Sequence, residues 1–431
     1  MMKKTALGIL ISTLILLSAL LCSCSASAES GLPISPAINC IAEQSYMAKS
    51  ALVGQSISFS ADDFARAVNK SSIKEVTFTS LPPASDGELR VGSTVLSAKQ
   101  TISADSLSLL TYHPSGAVNS SELRFRVDDS PYELCCKLYT LSEQNYAPTL
   151  STAPSTALQV STYKNVALFG TLPCYDPDGD ATVIEIVSYP KKGLLVMENS
   201  STGAYRYIPS ENSSGKDSFC YVAKDKYGNY SSSATVSLDI KKQSTSTEYV
   251  DLQDSPYHNS AITMTEKGIM SGTQVGSYTY FYPDTAVSRA EFTVMALEAA
   301  GITQVKPSSA TVFADDDDIP TDMKGYIATA YELGYVKGSM IDGELCFLPN
   351  NEITRAEAAV MLGNMLDAAT PTWTPVFSDS NDIPVWARSS VYSLSAMGVL
   401  ESYDGNISST SKVTRGDAAD ILVNFMAVKD N

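Results

Sequence analysis

Three four-residue boxes recur in the last third of the chain, and they constrain its fold more than any other feature. In each box, Ser or Thr is followed three residues later by Glu or Asp, the pattern of a capping box that begins a helix. A fixed repeat of this kind predicts stacked units that share one core, because a single helix pair cannot bury its apolar face alone. The boxes are Ser288-Arg289-Ala290-Glu291, Thr354-Arg355-Ala356-Glu357 and Thr414-Arg415-Gly416-Asp417.

Each box opens a segment whose apolar residues recur at helical spacing, which predicts one buried face per helix. A second helical segment precedes each box and ends at Gly268, Gly334 or Gly398, since glycine accepts the left-handed conformation that terminates a helix. Two helices are therefore predicted in each unit. The apolar positions are Phe292, Met295, Ala296, Ala299, Ala358, Met361, Leu362, Met365, Ala418, Ile421, Leu422 and Phe425.

The arginine inside each box is not explained by helix capping. It stands at the first helical position, the positive end of the helix dipole, where an anion would be preferred. Its recurrence in three boxes predicts a ligand outside the helix. The alternative is that the boxes are only helix starts with solvated arginines.

Further motifs surround the boxes: an aromatic-x-Asp start to each unit, "YELGYVKG", "FLPNNEITRAE" and "FYPDTAVSRAE". Together they resemble the S-layer homology (SLH) family, over three tandem units at 249–305, 306–370 and 371–431. The resemblance implies an α-helical pseudo-trimer that holds a secreted protein on the bacterial cell wall. It also implies an acidic ligand, commonly a pyruvylated secondary polysaccharide and in some bacteria modified peptidoglycan.

The resemblance assigns roles residue by residue. Arg289, Arg355 and Arg415 are expected to contact the anionic sugar in grooves between units, because arginine can bind a carboxylate bidentately. The third box departs from the pattern at Gly416, so the grooves of Arg289 and Arg355 are favoured. The capping residues are expected to present backbone N–H groups to the anion, and they are Ser288, Thr354 and Thr414. Two aromatic residues, Trp386 and Tyr257, are also expected at the glycan site. Acidic residues expected to serve only as structural caps are Glu291, Glu357 and Asp417.

Residues 29–241 consist of short runs of β-branched and aromatic residues separated by turn clusters, which predicts β-sandwiches. An internal similarity, "LTYHP" with "YRYIP", divides the region into two domains at 29–145 and 146–241. Both resemble bacterial Ig-like or cadherin-like repeats. A polar linker is predicted at 242–248. The fold expected for the chain is thus two all-β sandwiches followed by the SLH pseudo-trimer.

An acidic triplet in the second β domain has the alternating carboxylates of a calcium-binding loop. Asp176, Asp178 and Asp180 supply it, and Asp225 is a fourth candidate ligand from another loop. The alternative is a turn without metal, since Asp-Pro-Asp-Gly favours a turn by itself. Calcium is therefore the one candidate cofactor.

The first 28 residues have the basic, apolar and small-residue regions of a secretory signal peptide. A second interpretation is a lipoprotein signal with Cys24 as the lipidated residue. The formal net charge of −17 excludes nucleic acid as a partner, because such partners require clustered basic residues. The same charge means that an acidic wall polymer must be bound by local groups rather than by long-range attraction.

The two histidines belong to no catalytic or metal-binding pattern. We therefore expect a non-catalytic protein of the cell surface, with β domains that act as spacers or adhesion modules toward surface proteins or extracellular glycans. The alternative is a wall-associated hydrolase or wall-maintenance protein whose active site lies in residues 31–241.

Overall fold

The computed structural model describes residues 46–116, 120–150, 158–305, 307–369, 371, 375–403 and 405–430. The predicted signal peptide and Cys24 lie outside these residues. The chain divides into two compact units, Met1–Thr140 and Leu141–Asn431. No helix among the described residues combines the length and apolarity that a membrane crossing requires.

The first unit is built from two sheets and a short helix around one core. Its sheets have the orders β1-β9-β8-β3-β6 and β2-β7-β4-β5. Phe64, from the helix, lies edge-on to Phe125 at 5.0 Å between ring centroids, so the helix closes the core between the sheets. The elements are β1 Tyr46–Leu52, β2 Ile57–Ser58, α1 Ala61–Ala67, β3 Glu75–Ser80, β4 Gly87–Val91, β5 Thr94–Val95, β6 Thr101–Ser103, β7 Leu110–Pro114, β8 Ser120–Val127 and β9 Leu134–Leu141.

The second unit begins with a β domain of two sheets, ordered β10-β16-β15-β12 and β11-β14-β13. Tyr205, Tyr207 and Phe219 fill its core and are almost fully buried. Alternating buried and half-buried residues along β14 place one face of that strand on this core, as expected for a period-two pattern. The strands are β10 Leu158–Tyr163, β11 Leu168–Thr171, β12 Thr182–Ser188, β13 Gly193–Asn199, β14 Ala204–Pro209, β15 Gly215–Asp225 and β16 Ala234–Lys241.

Helices and two small hairpins form the rest of the second unit. All three boxes begin a helix, and in each both reciprocal hydrogen bonds of the capping box are present, which confirms that prediction. Gly268, Gly334 and Gly398 have φ angles of 72°, 76° and 76°, as expected after a helix C-terminus. The elements are α2 His258–Glu266, β17 Thr273–Val275, β18 Tyr278–Tyr280, α3 Arg289–Ala299, α4 Lys324–Glu332, β19 Ser339–Ile341, β20 Glu344–Cys346, α5 Arg355–Met365, α6 Arg388–Ala396 and α7 Arg415–Lys429.

The aspartate at the start of each helical unit fixes the loop that leads to the box. The carboxylate of Asp251 accepts hydrogen bonds from the N–H groups of Phe281 and Tyr282. Asp315 and Asp379 hold the equivalent loops of the second and third units in the same way. The aromatic-x-Asp motif is therefore a structural brace within each unit.

A closed ring of backbone hydrogen bonds joins the three helical units just before the boxes. Val287 N donates to Val413 O at 2.9 Å, Val413 N to Ile353 O at 2.9 Å, and Ile353 N to Val287 O at 3.1 Å. Each unit thus donates to one neighbour and accepts from the other. The three box-opened helices consequently start around one common centre.

The segment predicted as a linker is held against the first helical unit. The Glu266 carboxylate, at the end of α2, accepts hydrogen bonds from the backbone and hydroxyl groups of Ser244 and Thr245. Asn259 of α2 donates to Ser161 O of β10 at 3.1 Å, and Tyr163 belongs to the core of the helical part. The β domain and the first helical unit are therefore packed together.

Candidate functional site

The backbone N–H groups at the start of each box-opened helix have partners within the protein. Arg289 N donates to Asn351 O at 2.8 Å and Ala290 N donates to Pro349 O at 3.1 Å. The same pair of contacts recurs from the second unit to the third and from the third to the first. Ser288, Thr354 and Thr414 satisfy the next N–H with their side chains. The expectation that these N–H groups face an anionic ligand is therefore wrong.

Two of the three box arginines also bond inside the protein. Arg355 is only 6% exposed, and its Nε and Nη2 donate to Ile407 O at 3.0 Å and Glu401 O at 2.7 Å. Arg415 donates to Phe281 O and Ser271 O, both at 2.8 Å. Each arginine crosses from its own unit to the next. Both arginines therefore connect neighbouring units, which explains their recurrence without a ligand, and their contact with a sugar stays a prediction.

Arg289 occupies the same position with weaker partners. Its Nη1 lies 3.4 Å from Glu357 Oε1, and its Nε is buried without a hydrogen-bond acceptor. Its guanidinium lies 5.2 Å from the ring centroid of Phe347. Burial lowers the pKa of the Arg289 guanidinium, and the Glu357 carboxylate acts in the opposite direction. Of the three box arginines, Arg289 thus has the fewest of its N–H donors hydrogen-bonded within the protein.

The departure of the third box from the pattern has a packing reason. A Cβ added at Gly416 would lie 2.5 Å from Cδ2 of Tyr257, so the alanine of the other boxes does not fit here. The Tyr257 hydroxyl donates to Asp417 Oδ1 at 3.1 Å. Tyr257, predicted to bind glycan, therefore packs the first unit onto the third through one ring face and its hydroxyl. Glu291, Glu357 and Asp417 are capping acids, as predicted.

A surface groove lies where the second unit meets the third. Thr354 forms a β-bridge with Lys412 at this junction, and the groove has a volume of about 610 Å³. Trp386, predicted to bind glycan, lines it and is 61% exposed. The other lining residues are Asn350, Asn351, Glu352, Thr354, Ala356, Glu357, Pro384, Thr410 and Lys412.

The groove combines groups that suit a sugar. An exposed indole can stack on a pyranose ring, amides can hydrogen-bond to hydroxyls, and an ammonium group can pair with a carboxylate. Sequence reasoning missed Lys412 and the two asparagines. The available signal was the residue two positions before each box, which is Ala286, Glu352 or Lys412. Only the last of these is a cation.

The four predicted calcium ligands do not converge. Asp176 Oδ1 accepts from the N–H groups of Asp178 and Asp180, and Asp180 forms an ion pair with Lys226 at 2.7 Å. Both oxygens of Asp225 accept hydrogen bonds from within the domain. Across the described ranges, no group of three or more acidic, histidine or cysteine side chains could hold a metal ion. The acidic residues brace loops here, so the turn interpretation fits better than the calcium site.

Comparison with known families matches both halves of the second unit. The bacterial Ig domain model matches residues 145–239, and the S-layer homology domain model matches residues 248–293 and 312–359. The matched segments include the first box and the second box. The third box lies beyond them and shares their capping and inter-unit hydrogen bonds.

Several known proteins share part of this sequence. An amylopullulanase of Thermoanaerobacterium thermosulfurigenes is 31% identical over 134 residues, which is 30% of this chain and 7% of the enzyme. An endoglucanase of Bacillus sp. (strain KSM-635) is 29% identical over 197 residues, which is 43% of this chain and 18% of the enzyme. The chain therefore spans less than a fifth of either relative.

A solved structure of fibronectin(III)-like modules of Clostridium thermocellum CbhA is 17% identical. The match covers 47% of this chain and 95% of the chain in the solved structure, with a TM-score of 0.22. At that score the likeness does not establish a shared arrangement of domains.

Proposed function

We propose that this chain, which carries S-layer homology domains behind a bacterial Ig domain, is a non-catalytic surface protein that binds an acidic cell-wall polysaccharide. SLH domains bind cell-wall polysaccharide in general, and this supports a location at the cell wall. The finer part of the proposal is the ligand, a polymer with carboxylated sugars such as a pyruvylated secondary polysaccharide. The three helical units then form the pseudo-trimeric anchor, and the two β-sandwiches serve as spacer or adhesion modules.

One observation carries the proposal: the groove that brings Trp386, Lys412 and two asparagine amides together between the second and third units. Stacking on the indole does not depend on the charge of the polymer. Lys412 supplies the single cationic side chain among the groove residues. Because the chain has a net charge of −17, an anionic polymer gains nothing from the overall field and must be recognised at short range.

The test is co-sedimentation of the full chain with purified bacterial sacculi that retain their secondary polysaccharide. We expect binding to these sacculi and its loss after the polysaccharide is removed with hydrofluoric acid. A second preparation, in which mild acid has hydrolysed only the pyruvate ketals, separates carboxylate recognition from recognition of the polymer backbone. Equal binding to intact and stripped sacculi would contradict the proposal.

A further inference from the structure

The same backbone pairing recurs at three junctions between the helical units, and the side chains at the positions that correspond to the observed groove differ sharply. The structure assigns the acidic glycan to one of them, the groove between the second and third units, with Trp386 and Lys412 as the residues that select it. This inference rests on the proposed function and adds which groove is used and why.

Backbone pairing fixes which positions correspond. Thr354 is bridged to Lys412, Ser288 to Glu352, and Thr414 to Ala286, always from one unit to the next. Lys412, Glu352 and Ala286 therefore take the same place in the three grooves. Trp386, Asp322 and Pro256 likewise correspond, because each lies 12 residues before the glycine that ends its unit's first helix.

The groove between the first and second units has only acidic charged side chains at the corresponding positions. They are Asp284, Glu291, Asp322 and Glu352, so this groove carries a formal charge of −4. The aromatic residue is also replaced there, since Asp322 stands in the place of Trp386. Four carboxylates and no stacking ring disfavour an anionic sugar.

The groove between the third and first units is intermediate. Its corresponding positions hold Asp254, Asp284, Asp417 and Lys412, for a formal charge of −2. Pro256 replaces the tryptophan, and Gly416 is covered by the ring of Tyr257. This groove lacks the indole and has lost part of its floor to packing between units.

The groove between the second and third units carries Glu352, Glu357 and Lys412, a formal charge of −1. The Glu357 carboxylate is already engaged, since its Oε2 accepts from Thr354 N at 2.9 Å and Thr354 Oγ1 at 2.8 Å. Its Oε1 faces Arg289 at 3.4 Å. Lys412 Nζ has one contact, to Glu352 O at 3.1 Å on the surface, and ammonium can donate three hydrogen bonds. It retains donors for a ligand carboxylate.

The experiment compares matched substitutions in the full chain. Trp386→Ala changes the selected groove alone, and Lys412→Glu changes it together with the groove between the third and first units. Asp322→Ala changes the groove between the first and second units, and Ala286→Glu changes the groove between the third and first units while Lys412 stays in place. We expect Trp386→Ala and Lys412→Glu each to weaken binding to polysaccharide-bearing sacculi at least about tenfold, which corresponds to about 1.4 kcal/mol. The affinities of the Asp322→Ala and Ala286→Glu variants for the same sacculi should stay within about twofold of the affinity of the parent chain. Melting curves check that all four proteins fold.

A second readout reports the groove directly. The chain has two tryptophans, so Trp373→Phe leaves Trp386 as the single indole. Its fluorescence should change on addition of soluble polysaccharide released from the same sacculi. Binding that survives Trp386→Ala, or equal losses in all four variants, would overturn the choice of groove while leaving the proposed function intact. A parent chain that does not bind these sacculi would refute both.

Discussion

Replacement of Arg355 by alanine tests whether the box arginines hold the helical units together. Arg355 is 6% exposed and donates two hydrogen bonds to carbonyls of the third unit, at 3.0 and 2.7 Å. The Ile407 residue that accepts one of them is 1% exposed, so its carbonyl would lose a donor that water replaces poorly. The Glu401 carbonyl lies nearer the surface and can be rehydrated.

The expected cost follows from these two contacts. A hydrogen bond to a charged group contributes about 1.5–3 kcal/mol, and an unsatisfied buried carbonyl costs a similar amount. Removal of the arginine also recovers part of the cost of burying its charge. We therefore expect a loss of roughly 2–3 kcal/mol in the free energy of unfolding. For the compact unit Leu141–Asn431, that corresponds to a fall in Tm of roughly 3–5 °C.

The assay is thermal unfolding of the full chain, followed by the helical circular dichroism signal. Arg289→Ala is the matched control, because the Arg289 side chain has a 3.4 Å contact with Glu357, the Phe347 ring beside its guanidinium and a buried Nε without an acceptor, but no hydrogen bond to a carbonyl of the next unit, among the described residues, like those of the Arg355 side chain. We expect the control to lose less than about 1 kcal/mol. If the two variants have the same Tm, or if Arg289→Ala has the lower Tm, the assignment of Arg355 as a connector between units is refuted.

Three further outcomes are expected. Gly416→Ala should lower the Tm, since the new Cβ would lie 2.5 Å from the Tyr257 ring. In a chain that also carries Tyr257→Ala, the further loss of stability caused by Gly416→Ala should largely disappear. Additive effects of the two substitutions in this double-mutant cycle would contradict the clash. Glu266→Ala should make residues 242–248 cleavable in limited proteolysis under conditions that leave the parent intact, because four hydrogen bonds to that segment are lost. Burial raises the pKa of Asp420 to about 7, so the folded state binds this proton more tightly than the unfolded state and stability falls as pH rises from about 4 to 7. Asp420→Asn should therefore raise the Tm at pH 8 with little effect at pH 4, and an equal shift at both values would argue against a titrating Asp420.

Local features were predictable from the sequence because their causes are local. A capping box needs only a hydroxyl and a carboxylate three residues apart, so Ser288 with Glu291 identified a helix start without tertiary information. The glycines that end the preceding helices are similar, since a left-handed residue is required wherever the chain leaves the helix.

The role of the arginines was not predictable in this way. The carbonyls that Arg355 contacts are 46 and 52 residues away, and those of Arg415 are 144 and 134 residues away. A cation at a helix N-terminus appeared unexplained only because these acceptors belong to other units. The same limit applies to Gly416. This position has no room for a side chain because the ring of Tyr257, 159 residues earlier in the chain, packs against it.

The acidic triplet shows a different limit. Carboxylates at alternate positions are compatible with calcium ligands and with turn braces, because both uses require oxygen atoms directed back toward the backbone. In the structure, Asp176 Oδ1 binds two N–H groups of its own loop, and no three candidate ligands among the described residues are grouped closely enough to hold a metal ion. Spacing alone carries no information on that choice.

The hydrogen-bonded ring of Val287, Ile353 and Val413 fixes the number of repeats. In an open solenoid, a repeat can be gained or lost at an end, since each repeat contacts only its neighbours. Here the last repeat completes the first, so deletion of one leaves a backbone donor and a backbone acceptor without partners where the three helical repeats meet. A fourth repeat would have no place in the circle. Such an anchor can therefore change length in evolution only by whole sets of three, whereas a circular permutation that moves the chain ends between repeats preserves every contact of the ring.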